Sequence, residues 1–581
     1  MPYKQSTPLT AEAVKQFADT FAEEQMAALH VPGAAVVVVQ GDSILYQQGY
    51  GWAEIASQTA VNPAQTVFRA GSVSKLFTAT AVMQLVEQGK IDLHADVNQY
   101  LSELALEPMN GRPITVADLL THTAGFDEVY LGMHSYQAAD SLTDFLKRHL
   151  PQRYHAPGEV ISYNDHGYTL LGLIIEEVSG QPFDVYMEEQ VLQPLGMTMS
   201  SFTQPAPALL TKHLAVGYGY DGQTHFSYPM DFVHVGPAAA LIGPAADMAP
   251  FMIAHLNNGR YGETQLLSAA TIAEMHQRQF IHHPALRGRA YGFSEWLDNG
   301  QRALFHDGGN PGFMSRMFLM PENGVGFFIS INGDQYSSAS SFSREFTSQF
   351  LDAFYPETAA PNPPIATDEA INTAAYSGYY RDIQGYSHDT LQKLAALPNQ
   401  FSVSGDGQTL SVFGNTWVPV GENTFGRTDG ESTLAFRTDE TGQATYLFVG
   451  TGAYAKVPWY EAQPFHLGLV VWCALMFLTA VFVALFGGRF TGSMRLGFAA
   501  VGTLNLIFLV GMGLALTQMD PWVFLFGIPT NVIVLLCLPL VSLVIYLWVG
   551  YGWTAAWQSG TFSIWQHGYM ALLLATMIAY V

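Results

Sequence analysis

Residues 68–75 read Phe-Arg-Ala-Gly-Ser-Val-Ser-Lys and lead directly into an apolar run at 76–88, which is followed by Gly89. Apolar residues recur in this run at helical spacing, and the glycine supplies a stop. The pattern predicts a helix that begins at Ser72, with Lys75 one turn later on the same face. A neutral lysine amine at that position can take the serine proton, and free N–H groups at the helix start can stabilise an oxyanion. The stretch therefore predicts a nucleophilic serine.

A Ser-x-x-Lys match alone is weak evidence, because a chain with eight lysines gives roughly half a chance match. The alternative is a serine that caps the helix, followed by an exposed lysine. Two later segments favour the catalytic interpretation: residues 161–168, Ile-Ser-Tyr-Asn-Asp-His-Gly-Tyr, and residues 305–313, Phe-His-Asp-Gly-Gly-Asn-Pro-Gly-Phe. Lysine and tyrosine both titrate near pH ~10 in water. Convergence of Lys75 and Tyr163 on one serine would therefore bias both toward the forms that catalysis needs.

In this order, the three segments resemble those of the serine β-lactamase and penicillin-binding-protein superfamily. They are most similar to its class C-like branch of esterases, D-aminopeptidases and peptidases. The landmarks Val-Pro-Gly at 31–33, Leu-Leu-Thr-His-Thr-Ala-Gly-Phe at 119–126 and Pro-Leu-Gly-Met at 194–197 agree with the resemblance, which covers about residues 10–350. It implies a mixed α/β (α+β) β-lactamase/transpeptidase-like domain that works through an acyl-enzyme.

The resemblance also implies a role for each matching residue. Ser72 is the expected nucleophile, Lys75 its activating partner, and Tyr163 the residue that shuttles a proton to and from the serine and the leaving group. The remaining expected residues bind substrate, with Gly309 giving the second oxyanion N–H beside that of Ser72: Asp165, His306, Gly308 and Gly309.

Two positions depart from the family pattern. Asp165 stands where a neutral donor is usual, and His306 stands where antibiotic-hydrolysing members often have lysine. Both changes argue against an efficient β-lactamase or a standard D-Ala-D-Ala carboxypeptidase. We therefore expect a peptidase, amidase or esterase. The alternative is a penicillin-binding or sensor-type module that is acylated but turns over slowly, and a histidine that only closes a strand end remains open for His306.

Shifts in composition divide the chain into four parts. Residues 1–355 mix helical and strand patterns and hold all three motifs, and residues 356–369 form a proline-rich linker. Short alternating segments between Gly, Asp and Asn turns at 370–460 predict a small antiparallel barrel or sandwich, which resembles the lipocalin-like domains of some relatives. Residues 464–581 predict an α-helical transmembrane bundle.

The membrane prediction depends on four uncharged apolar stretches, at 467–486, 496–517, 523–549 and 562–581. Each has about 20 residues or more, enough to cross a bilayer as a helix. Seven of the ten tryptophans lie in or beside them, as in an interfacial belt: Trp459, Trp472, Trp522, Trp548, Trp553, Trp557 and Trp565. Asn505 and Asn531 within the spans raise a transporter as a further alternative, although such amides more often bond to neighbouring helices.

Charge and composition limit the partners. From Leu467 onward only Arg489, Arg495 and Asp520 are charged, so this part contributes +1 to the net charge of −24 and the preceding residues carry −25. A surface that acidic excludes nucleic acid as an expected partner. We expect a small-molecule or peptide substrate and contact with the lipid bilayer. No cofactor and no metal are expected, since the His282-His283 pair has no other ligand motif near it.

The loop at 487–495 predicts the orientation, because it carries both arginines of the membrane region. Basic loops stay in the cytoplasm. The hydrolase region would then face the periplasm or the cell exterior from a multi-pass protein of the cytoplasmic (inner) membrane. The first thirty residues contain no apolar leader, so this orientation carries the expectation that an export signal was removed or omitted.

Overall fold

The computed structural model describes residues 7–333, 342–357 and 372–580, except 385, 389, 396, 431 and 489. Most of the predicted linker at 356–369 lies outside the described residues, and so does Arg489 of the basic loop. The domain boundaries given by the sequence stay predictions. The architecture agrees with the expected one: a β-lactamase-like α/β domain, a closed barrel of eight strands and a C-terminal group of apolar helices.

The centre of the hydrolase domain is an antiparallel sheet. Its described strands follow the order β12-β13-β14-β15-β1-β2-β3. The strands of the domain are β1 Gly33–Gln40, β2 Ser43–Glu54, β3 Thr59–Ala60, β4 Phe68–Arg69, β5 His134–Ser135, β6 Tyr218–Tyr220, β7 His225–Ser227, β8 Phe232–Val233, β9 Ile242–Gly243, β10 Arg260–Tyr261, β11 Thr264–Gln265, β12 Ser294–Asp298, β13 Gln301–Asn310, β14 Phe313–Met320 and β15 Val325–Ile331.

Strand β1 shows how the layers form. Ala35, Val37 and Val39 point into the large core that contains the motif helices, whereas the alternate residues at 34, 36 and 38 point into a second core against the terminal helices. Because both faces are covered, the strand reads as a continuous apolar run. The helices of the domain are α1 Ala11–Ala28, α2 Ser74–Glu87, α3 Val116–Leu120, α4 Leu142–His149, α5 Asp165–Ser179, α6 Phe183–Met187, α7 Ala208–Thr211, α8 Gly236–Ala239, α9 Met248–Leu256, α10 Ala269–His276 and α11 Phe342–Phe354.

The barrel that follows is filled by its own side chains. Alternate residues such as Tyr380, Trp417 and Leu447 form a buried cluster inside it, as expected for eight strands. Its elements are α12 Thr373–Tyr376, β16 Gly378–Asp382, α13 Gln392–Ala395, β17 Gln400–Gly405, β18 Leu410–Val412, β19 Asn415–Gly421, β20 Thr424–Arg427, β21 Thr433–Thr438, β22 Ala444–Val449 and β23 Gly452–Val457. The outer face of the barrel packs on the hydrolase domain, where Phe448 stacks on His282 with ring centroids 4.2 Å apart.

The four apolar stretches are all helical: α14 Gln463–Phe486, α15 Gly492–Gln518, α16 Thr530–Ser559 and α17 Ile564–Tyr580. Within the described residues, the first three are long and apolar enough to cross a membrane, and α17 is shorter, with 17 residues. Among the described residues, three helices are therefore long and apolar enough to cross a membrane, rather than the four expected. Asn505 is buried between helices and donates to Ser542 Oγ at 2.5 Å, which is the helix-bonding role that the sequence favoured.

The expected third span at 523–549 is wrong at its start. Residues Pro521–Phe526 form a separate 3₁₀ turn, and α16 begins only at Thr530. Gly527, with a φ of 109°, and Pro529, just before α16, together interrupt the helix that the sequence predicted. Trp522, expected to join an interfacial belt, instead lies on this turn against the hydrolase domain. The turn therefore belongs to the surroundings of the candidate site.

Candidate active site

Ser72 lies in the 3₁₀ turn Gly71–Val73 that opens directly into α2. Gly71 has a φ of 53°, and a side chain there would meet the backbone nitrogen of Gly309 at 2.5 Å. Only glycine allows this close approach. The Ser74 hydroxyl donates to Gly71 O at 2.6 Å and accepts from Leu241 N at 3.0 Å, which fixes the turn. The serine is thus held against the strand that carries the third motif.

Lys75 is fully buried and meets three polar groups. Its Nζ lies 2.8 Å from Ser72 Oγ, 3.1 Å from the carbonyl oxygen of Ala238 and 2.5 Å from Asp165 Oδ1. An ammonium group has three N–H donors, whereas a neutral amine has two donors and one lone pair. In the neutral form, the carbonyl and the carboxylate can take the two N–H groups. The lone pair is then free to accept the proton of Ser72.

Two opposing effects act on the charge of Lys75. Burial lowers its pKa, since the charged form loses its hydration, and the Asp165 carboxylate raises it through attraction to the ammonium. The balance lies on the side of burial, so the pKa of Lys75 is below its ordinary value. The site therefore favours the neutral amine more than water does.

Tyr163 precedes the first turn of α5. Asn164 caps that helix by accepting from Gly167 N at 2.6 Å, and its own N–H donates to His122 Nδ1 at 3.1 Å. The pKa of Tyr163 is raised well above its ordinary value, first by burial and then by the charge of Asp165, while a hydrogen bond with Ser72 opposes the rise. The phenol consequently stays protonated at neutral pH and is suited to donate a proton.

The third motif lies on β13. Gly308 is pressed against the nucleophile turn, since a Cβ there would meet the carbonyl oxygen of Ala70 at 2.0 Å. The Ser315 hydroxyl on the next strand donates to the same carbonyl at 2.7 Å. This packing holds Gly309 beside Gly71, so the backbone N–H groups of Ser72 and Gly309 lie on neighbouring segments. The arrangement is consistent with the predicted oxyanion pair.

His306, predicted to bind substrate, lies on β13 two residues before Gly308. It is buried, its Nδ1 lies 2.6 Å from the carbonyl oxygen of Asp307, and its Nε2 has no hydrogen-bond partner. Burial, together with the positive charges of Lys75 and Arg289, lowers the pKa of His306 to about 3. The imidazole is therefore neutral at physiological pH and offers a hydrogen bond rather than a charge.

Three further residues of the site were missed or given another role by sequence reasoning. His122, which lies in the landmark at 119–126 and was given no role in the site, stacks on the Tyr163 ring with centroids 4.3 Å apart. The buried guanidinium of Arg289 lies 5.6 Å from the centroid of the same ring. Glu128 is fully buried and accepts from Asp165 N at 2.9 Å, with burial first and the charge of Asp165 second raising its pKa well above the ordinary value. Among these, only His122 lies in a quoted motif.

A cavity of about 890 Å³ opens beside the nucleophile. Most of the predicted site residues line it: Ser72, Tyr163, Asp165, Gly308 and Gly309. Lys75 and His306 lie behind this surface, buried. The barrel contributes Phe401 and Tyr454, and the C-terminal helical region contributes Met512 and Trp522. The site is therefore enclosed by all three parts of the chain.

We expect Asp165→Asn to move the acidic limb of the kcat/KM profile to lower pH. If neutral Lys75 is the base, activity falls as the pH drops through the pKa of that lysine. The Asp165 carboxylate raises this pKa, so its removal lowers the pKa and extends activity to more acidic conditions. The profile should be measured with an activated ester. A limb that stays in place or moves to higher pH would argue against lysine as the base.

Glu128→Gln is the matched control for this experiment. Burial and the charge of Asp165 raise the pKa of Glu128 well above its ordinary value, which favours the protonated carboxyl, so a neutral amide of the same shape changes the local charge less than Asp165→Asn does. We expect a much smaller shift of the limb than in Asp165→Asn.

The fold is that of a superfamily of serine hydrolases and acyltransferases. Residues 18–344 match the family model described as Beta-lactamase. The chain is 31% identical over 366 residues to penicillin-binding protein 4 of Amycolatopsis lactamdurans, covering 60% of this chain and 93% of that protein. The chain belongs to the beta-lactamase family.

Two other similarities extend this finding. The chain is 26% identical over 329 residues to protein flp of Staphylococcus aureus (strain MRSA252), covering 56% of this chain and 64% of that protein's length, which is less than two thirds. The structure of an octameric penicillin-binding protein homologue from Pyrococcus abyssi is similar with a TM-score of 0.51 and 22% identity, covering 76% of this chain and 100% of that one. At this identity the second similarity concerns the fold alone.

Proposed function

We propose that this protein is a membrane-anchored serine hydrolase that cleaves an ester or amide through an acyl-enzyme on Ser72. The observation that carries the proposal is the hydrogen bond of 2.8 Å between Ser72 Oγ and the Nζ of a lysine whose pKa is lowered by burial. A neutral amine at that distance is within reach of the serine proton. Tyr163, which lines the same cavity as Ser72, supplies the second proton-transfer group.

The reaction would run in two half-reactions. Ser72 Oγ attacks the substrate carbonyl carbon and its proton passes to Lys75, while the N–H groups of Ser72 and Gly309 stabilise the oxyanion. The bond to the leaving group breaks, and that group receives a proton from Tyr163, which regains one from Lys75. Water then attacks the acyl-enzyme with its proton taken by the same groups, which releases the acid and restores Ser72 Oγ–H.

A penicillin-binding or sensor-type module is the second candidate. The observation that favours it is the shared cavity, since an acyl group on Ser72 would lie in a space that is also lined by Met512 and Leu516 of α15. An acyl group in the site would then contact α15 and could change the packing of the helices.

Turnover separates the two candidates. The full chain should be mixed with activated esters and with D- and L-aminoacyl amides, and both released product and acylated protein should be counted. A hydrolase releases many equivalents of product per protein. If at most one equivalent is released while the label stays on Ser72, the sensor-type candidate replaces the hydrolase.

We further propose that the hydrolase domain faces the periplasm or the cell exterior. The turn Pro521–Phe526 follows the C-terminal end of α15 and contacts the hydrolase domain, whereas the segment between α14 and α15 is at the N-terminal end of α15. The sequence places Arg489 in that segment, and Arg495 follows in the first turn of α15. Protease added to intact spheroplasts should degrade the hydrolase domain. A domain that stays protected until the membrane is broken reverses the assignment.

A further inference from the structure

The cavity beside Ser72 has walls of different chemistry. One wall is apolar and comes from the C-terminal helical region; we call it the apolar compartment, and it consists of Met512, Ala515, Leu516, Trp522, Leu525 and Val532. Another wall comes from the barrel and carries the polar side chains of Arg381, Asp382 and Gln384. The volume of about 890 Å³ lies near the upper end of the ~300–1,000 Å³ range of small-molecule sites.

The turn that carries Trp522 is fixed at both ends to the hydrolase domain. Asp520, just before the turn, accepts a hydrogen bond of 2.6 Å from the Tyr228 hydroxyl. Phe526, its last residue, stacks on Tyr136 with ring centroids 4.1 Å apart and an interplanar angle of 5°. Trp522 is therefore held in place as part of the cavity wall.

The position of Trp522 relates it to the expected reaction centre. A Cβ placed on Gly309 would lie 3.7 Å from Trp522 Cη2. Since Gly309 N is a proposed oxyanion donor, the indole lies close to the position of the scissile carbonyl group. A substituent on that carbonyl has the indole as a neighbour.

Part of the apolar compartment is backed by tight packing. Met512, Ala515 and Val532 belong to one buried apolar cluster, against which Leu391 of the barrel region packs. Leu391 also lines the cavity. A charged or strongly polar substituent would lose its hydration in this compartment without gaining a partner, whereas an apolar chain gains by leaving water.

From this arrangement we infer that the apolar compartment binds the hydrocarbon chain of the substrate acyl group, and that Trp522 sets the preferred chain length. The inference rests on the proposed function. The acyl group stays on Ser72 from the first half-reaction to the second, so it is the part of the substrate that an apolar wall beside Ser72 can hold throughout. The polar side chains at 381, 382 and 384 can instead form hydrogen bonds with the leaving group and the incoming water.

A series of esters with one phenol and acyl chains from acetyl to dodecanoyl tests the inference on the full chain in lipid nanodiscs. We expect kcat/KM to rise by about fourfold per added methylene until the compartment is filled. From acetyl to octanoyl, a step of six methylenes, this amounts to on the order of 1,000-fold or more if the compartment holds the whole chain. A flat or falling series overturns the inference. So does a preference that follows the alcohol chain in acetate esters rather than the acyl chain.

Trp522→Ala should lower the ratio of octanoyl to acetyl kcat/KM on the order of tenfold or more, because the chain loses its wall near the carbonyl. Trp565→Ala is the matched control, since Trp565 is 85% exposed and belongs to the same region of the chain. An unchanged ratio in Trp522→Ala overturns the role of this residue. Labelling of Ser72 by a small fluorophosphonate checks that each variant is folded. If a variant does not fold, the ester series measured on the unchanged protein still tests the inference.

The proposed function and the inference about the apolar compartment would be contradicted by different results. If wild-type protein hydrolyses none of the esters or amides, the proposed function is wrong. If it hydrolyses acetyl and octanoyl esters equally well, the function stands and the inference about the apolar compartment is wrong.

Discussion

Replacing Ser72 with alanine is expected to abolish covalent labelling by fluorophosphonate or penicillin probes and to lower kcat by at least about 10⁴-fold. The physical reason is the lining of the cavity. Among its described residues, Ser72 is the sole serine, threonine, cysteine or lysine. No second group of these types lines the described cavity, and Lys75 lies behind its surface. Labelling should be followed by gel fluorescence and turnover by product release.

Ser402→Ala is a suitable control for this variant, because Ser402 is exposed on strand β17 of the barrel. It should label and turn over as the unchanged protein does. Substantial labelling of Ser72→Ala would mean that another residue is the nucleophile.

Replacing Lys75 with alanine is expected to lower kcat on the order of 100-fold or more, the usual size of lost general-base assistance. Lys75 Nζ forms a hydrogen bond with Ser72 Oγ. Without this amine, the serine proton loses its proposed acceptor. The rate should be measured with one activated ester and one amide under single-turnover conditions, so that acylation is observed directly. Tyr163→Phe should give a loss of similar size.

Lys90→Ala provides the matched control, since Lys90 is exposed just after α2. It should retain normal turnover. Near-normal acylation in Lys75→Ala would remove the proposed mechanism even if Ser72 were still labelled.

The motifs of the hydrolase domain could be predicted because their chemistry is local. The helix start at Ser72, the lysine one turn later and the tyrosine before a capped helix each follow from short patterns. The apolar runs of β1 and β15 are also recognisable as strands, and the structure pairs them from Ala34 opposite Ile331 to Gln40 opposite Val325. Long-range placement then brings these local elements together.

Other parts of the site could not be read from the sequence. Glu128 is buried beside Asp165, and no short sequence pattern around Glu128 indicates that it is buried. Arg289 reaches the ring of Tyr163 from a segment that resembles no motif. Trp522 lies in an apolar stretch, where a tryptophan is typical of a membrane interface, and its contact with the hydrolase domain depends on tertiary packing. The glycine at 527 and the proline at 529 were the available signals that the stretch is broken.

The central claim is an acyl-enzyme on Ser72, and intact-protein mass spectrometry after rapid quenching tests it most directly. The full chain should be mixed with an excess of an activated ester and quenched within the first turnover. We predict a mass increase equal to the acyl group, located by digestion on the peptide that contains Ser72, which disappears as product release is completed. Product release without any adduct, or an adduct on another residue, would contradict the account.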